Sequence, residues 1–69
     1  MNKAAQSLEY NRNDVILLAQ HGWVVFSIST PHLECYRSRR FAEMRAEALA
    51  HKSGGSVILI DPEGTRYLS

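Results

Sequence analysis

The 69-residue chain has one cysteine, Cys35, and so no partner for an internal disulfide. A lone thiol suits a reducing compartment, and a cytoplasmic protein is the expectation. Long apolar runs are also missing. The longest, Val15 to Ala19, is far too short to cross a bilayer as a helix, and the N-terminus shows no signal-peptide core, so no membrane association is expected. Charge of one sign is missing too: eight Lys and Arg against seven Asp and Glu leave a net charge of +1, too balanced to announce a nucleic-acid partner in bulk. Metal-ligand clusters are absent: His32-x2-Cys35 supplies two ligand types where a structural zinc site needs four, and no metal or cofactor is expected.

Catalytic constellations are equally scarce. His32 and Cys35 are three residues apart on a strand and fall on opposite faces, so they form no nucleophile–base pair. Gly54-Gly55-Ser56 lacks the spacing and the lysine of a phosphate loop, and Asp61 and Glu63 belong to a turn composition, DPEG. No catalytic residue is assigned, and the chain reads as non-enzymatic.

What is present is a strong helix. Ser38 is a preferred N-cap, Arg39 to Lys52 contains no Gly, Pro or β-branched residue, and Gly54-Gly55 gives a left-handed stop. On a helical wheel Phe41, Ala42, Ala46, Ala48 and Leu49 fall on one broad side, with Arg40, Glu43, Glu47 and His51 opposite. Arg45 lies within the apolar arc, with its head expected to reach water.

Around the helix are β-rich segments. Residues 14–20 and 23–30 flank His21-Gly22, read as a two-residue hairpin turn. That register puts Leu17 opposite Phe26 and Val15 opposite Ile28. Val15, Leu17, Ala19, Val24, Phe26 and Ile28 then face the helix, and Leu49 should meet Phe26. Ile16, Leu18, Trp23 and Val25 fall on the other face as an apolar patch of the kind that marks an interface, unless the N-terminal segment covers it through Leu8 and Tyr10. Residues 1–12 read as an arm or a frayed helical turn, and residues 13–69 as a single domain. Residues 32–37 form a third strand, in which Cys35 reads as a small core hydrophobe. Val57 to Ile60 forms an inner fourth strand, and residues 65–68 fold back after the DPEG turn. The expected fold class is α+β, one helix packed on one face of a mostly antiparallel sheet, with elements in the order β-β-β-α-β-β. The expected sheet order is 3-2-1-4-5, the alternative placing strand four beside strand three.

Gly22-Trp23-Val24-Val25, Ala42-x3-Ala46-x2-Leu49-Ala50, Gly54-Gly55, Val57 and Asp61-Pro62-Glu63-Gly64 together resemble small bacterial domains of unknown function. Those are built on a Gly-Trp strand, a helix and a final Asp-x-x-Gly turn, and the likeness spans about residues 15–66. The same packing motifs recur in the DNA-binding domains of plant ethylene-response factors and in integrase arm-binding domains, which carry basic residues on the sheet face. The resemblance implies a fold and a non-catalytic role. Two binding readings follow from the residues themselves. The first is protein binding or homodimerisation through Ile16, Leu18, Trp23 and Val25. The second is anion or nucleic-acid binding by Arg37, Arg39 and Arg40 around the helix N-terminus, where free N–H groups favour negative charge.

Overall fold

The computed structural model describes residues 11–29 and 31–68. Its elements are β1 (Val15–Ala19), β2 (Trp23–Ser27), β3 (His32–Tyr36), α1 (Arg39–Ser53), β4 (Val57–Asp61) and β5 (Gly64–Tyr67). They form one five-stranded sheet in the order β3-β2-β1-β4-β5, as the element pattern suggests. β1 and β4 run parallel, and every other neighbouring pair is antiparallel. The fold is α+β, one helix packed on one face of a mixed sheet.

The helix forms where its caps place it. Ser38 is extended, and its hydroxyl accepts from the Phe41 amide at 3.3 Å. Gly54 takes the left-handed conformation at φ 80°, and the amides of Gly54 and Gly55 both donate to Ala50 O. The buried row differs from the wheel reading. Ala42, Ala46 and Ala50 repeat every four residues against the sheet, while Phe41 is 64% exposed and Ala48 is exposed as well. Three methyl side chains in a row let the helix backbone approach the sheet closely, which pushes the bulkier Phe41 out to the flank.

The hairpin register also differs, and by one residue. β1 and β2 pair Ala19 with Trp23, Leu17 with Val25 and Val15 with Ser27, so the loop is Gln20-His21-Gly22, three residues long. His21 (φ 52°) and Gly22 (φ 107°) both sit at positive φ, and the Gln20 amide donates to Gly22 O at 3.1 Å. A slip of one residue moves every β2 side chain to the opposite face. Trp23, Val25 and Ser27 therefore face α1, while Val24 and Phe26 face away. The Leu49–Phe26 contact expected from the two-residue turn does not form. Leu49 packs against the core of Val15, Leu17, Val25, Val57, Leu59 and the alanine row.

At the helix C-terminal end a polar bracket ties three segments together. Asp14 is buried. Its carboxylate accepts from the Asn11 amide at 3.0 Å and from the Ser56 amide at 2.9 Å, and Val15 N donates to Ser56 O. Ser53 Oγ donates to Asn13 O at 2.6 Å. These bonds set where β1 and β4 begin together, which is what a parallel pair needs. At the other end, Asp61 and Gly64 close the β4–β5 turn. Both guanidinium Nη atoms of Arg66 donate to the Asp61 carboxylate at 2.9 Å, holding it below its ordinary pKa. Among the described residues no helix is long and apolar enough to cross a membrane.

Candidate functional site

The corrected register redistributes the residues singled out in the sequence. Ile16 and Leu18 lie on the sheet face away from α1, as expected. Trp23 and Val25 do not join them. Val25 is fully buried in the helix-side core, and Trp23 packs at its margin with Arg39 Cζ 5.3 Å from the ring centroid. In their place the face carries Val24, Phe26, Leu33, Ile58 and Ile60, since each is cross-strand from a residue already on that side. The alternation that exposed this set was present in β2. Val24 and Phe26 are as apolar as Trp23 and Val25, and only the loop length decides between them.

No described element packs on this face. Ile16, Leu18, Val24, Phe26 and Ile60 are half-buried, Ile58, cross-strand from Ile16 and Tyr67, is fully buried, and Leu33 is 60% exposed on the edge strand β3. Cys35 shares the row with Leu33 and is exposed, which corrects its reading as a core hydrophobe. A residue on the outer row of an edge strand has neighbours on one side only, and here none above it among the described residues. The proposed cover through Leu8 and Tyr10 lies outside the described residues.

The basic residues around Ser38 separate. Arg39 donates to Glu43 one turn on and lies over Trp23, whereas Arg37 and Arg40 are exposed. The three guanidinium groups are thus not equivalent, and Arg39 is already committed within the fold.

A more connected network lies on the helix-facing side of β3. Glu34 accepts from Arg45 Nε at 2.9 Å and Nη2 at 3.0 Å, and from Tyr36 Oη at 2.6 Å, with His32 Nε2 at 2.6 Å. Three partners, the Arg45 guanidinium first among them, hold the Glu34 carboxyl at a pKa of about 2 against the burial that opposes ionisation. The Tyr36 hydroxyl is pushed up by the same contact. Arg45 does reach water as expected, but its head is fixed across an eleven-residue separation that no local pattern announces.

This network has a pH signature. A carboxyl whose folded pKa is depressed adds stability above its unfolded value, and that stability is lost as pH falls through the folded value. The contribution of Glu34 should be complete above pH 4.5 and disappear between 4.5 and about 2. Urea midpoints measured across that window should fall more steeply for the wild type than for Glu34→Gln. Parallel curves would show the network adds nothing.

Beside it, α1 and the β2–β3 end of the sheet enclose a cleft of about 450 Å³. Ser27, Ser29, His32, Arg45, Lys52 and Ser53 line it. The sequence reading sets Ser27 at the rim of the Trp23 face and treats Lys52 only as a cation suited to the helix C-terminus. The signal for Ser27 was a hydroxyl in a strand whose other residues facing the same way are Trp and Val. Among the described residues no three His, Cys, Asp or Glu side chains converge to hold a metal ion.

No family model, no curated protein and no solved structure matches the chain. The fold and its surfaces define it only as a single-helix α+β domain on a five-stranded mixed sheet.

Proposed function

We propose that the chain is a small non-enzymatic binding module that associates with a second copy of itself through the sheet face turned away from α1. The observation that carries this is the composition of that face. Ile16, Leu18, Val24, Phe26, Leu33 and Ile60 lie on it, whereas Glu34, Arg45, Asp61 and Arg66 are all on the helix side. Among the described residues this face carries no charged side chain, so it meets its own copy without like-charge repulsion, even though the chain is net positive. Two such faces can stack as the layers of a sandwich about 10 Å apart.

Size sets the strength. Five strands spaced about 4.8 Å apart, each about five residues long, give a footprint of about 400 Å² per copy. That is the small end of specific interfaces, so pairing is reversible and concentration-dependent. A domain of this length also buries a modest share of its unfolded surface and gains from association.

Leu33 is the residue to change, because its exposure means the isolated fold does not depend on it. Light scattering over a concentration series should show a wild-type dimer that Leu33→Asp returns to monomer, with the melting temperature the wild type has when dilute enough to be monomeric. Trp23→Ala should do the reverse, costing about 2–4 kcal/mol of folding stability through lost packing. A variant lacking residues 1–10 should dimerise at least as well as the full chain. Monomers at every concentration for both the wild type and that truncation would overturn the proposal. So would a truncation that dimerises while the full chain stays monomeric.

A further inference from the structure

We propose that the cleft between α1 and the β2–β3 end of the sheet binds a small oxyanion ligand, a phosphate or carboxylate on a compact organic body. The site is separate from the sheet face proposed for self-association and lies on the opposite side of the sheet.

Ser27 is the first reason. It is 5% exposed, in a helix-facing neighbourhood where Val15, Leu17 and Val25 are all fully buried. Its hydroxyl has no hydrogen-bond partner among the described residues, yet it lines the cleft. No side-chain polar atom among the described residues is both sealed from solvent and unpaired, so this hydroxyl opens into the cleft, where it can bond a ligand. The valines around it show that an apolar side chain suits this part of the sheet.

The cations are the second reason. Arg45 and Lys52 stand two helical turns apart and both line the cleft. Arg45 spends Nε and Nη2 on Glu34, which fixes the plane of the guanidinium and leaves Nη1 for a ligand. Lys52 has no partner among the described residues. The helix C-terminus contributes partial negative charge at this end, and His51 and Lys52 in the last turn offset it. Hydroxyls from Ser27 and Ser29 add neutral donors, and Leu49 supplies an apolar wall for the organic part. A volume of about 450 Å³ is that of a small-molecule site.

The test uses the full chain with isotope-labelled amides, titrated with inorganic phosphate, with acetate, and with chloride as the ionic-strength control. Phosphate or acetate should produce saturable shifts at Ser27, Ser29, Lys52 and Ser53 at millimolar concentration that chloride does not reproduce. Saturation by phosphate assigns the phosphate class, and saturation by acetate alone the carboxylate class. Lys52→Gln should weaken binding about tenfold, the usual scale for one charged hydrogen bond. Ser27→Ala should weaken it several-fold with an unchanged melting curve. Shifts that fail to saturate, or that chloride matches, would overturn the proposal. Loss in Lys52→Gln with none in Ser27→Ala would also overturn it, because binding would then belong to an exposed lysine and not to the cleft.

Discussion

Replacing Gly55 by alanine is expected to cost about 3–5 kcal/mol, most of the stability a domain of this size possesses, because the new methyl has no space to occupy. A Cβ at position 55 would lie 2.0 Å from Asn13 O, 2.4 Å from Asn13 C and 2.9 Å from Asp14 N. All three are backbone atoms, and they belong to the bracket in which Asp14 holds the Ser56 amide and Ser53 Oγ holds Asn13 O. The clash cannot be relieved by turning a side chain. Moving the 13–14 segment breaks the bonds that start β1 beside β4. Gly54 is the internal comparison. Its alanine methyl meets nothing within 4 Å, but φ is 80° there, so Gly54→Ala should lose only about 1–2 kcal/mol from the left-handed conformation. Chemical denaturation of both variants separates the two mechanisms. Equal, small losses would mean the chain does not approach Gly55 as closely as the bracket requires.

That contrast shows what a sequence can and cannot announce. Gly54-Gly55 is legible as a helix stop, and so is Ser38 as its start, because caps are satisfied within a few residues of chain. The second role of Gly55 is invisible, since it depends on residues about forty positions earlier passing over it. The same division holds elsewhere. Strand order follows from the apolar fourth strand and the helical connection, and the parallel β1–β4 pairing bears it out. Glu34 and Arg45 pair between a strand and a helix, and no periodicity links them.

The candidate surfaces were less legible than the fold, for one local reason. Both faces of β2 are apolar, Trp23 and Val25 on one side and Val24 and Phe26 on the other, so hydrophobic pattern gives no vote on register. The loop decides, and His21-Gly22 is compatible with two residues or three. His21 accepts φ 52° and Gly22 φ 107°, while the approach of Gly22 to Tyr36 O, 2.8 Å from where a Cβ would be, pins the loop against the end of β3. With three residues in the loop, Trp23 becomes a core margin and a perch for Arg39, and Ser27 turns from the rim of one face to the cleft of the other. Two site readings moved together because one residue of loop moved them.

The register has a direct energetic consequence at two adjacent leucines. Leu17 is fully buried, cross-strand from Val25 and Leu59, inside the cluster that also contains Val15, Val57 and the alanine row of α1. Leu18 faces the other way, half-buried, opposite Val24 and Ile60. Leu17→Ala removes a side chain that is packed on all sides and leaves a cavity roofed by Ala42 and Ala46, whose methyls are too short to fill it. The expected loss is about 2–5 kcal/mol, enough to leave the domain largely unfolded at room temperature. Leu18→Ala removes the same atoms from a surface with no described element above it, so neighbouring side chains and solvent can close the gap, and the loss should be near 1 kcal/mol. Urea denaturation followed by Trp23 fluorescence measures both, because the indole lies at the margin of the core that Leu17 helps to form. A Leu18→Ala loss that equals or exceeds that of Leu17→Ala would place the tighter packing on the face away from α1, and the helix-side core described here would be wrong.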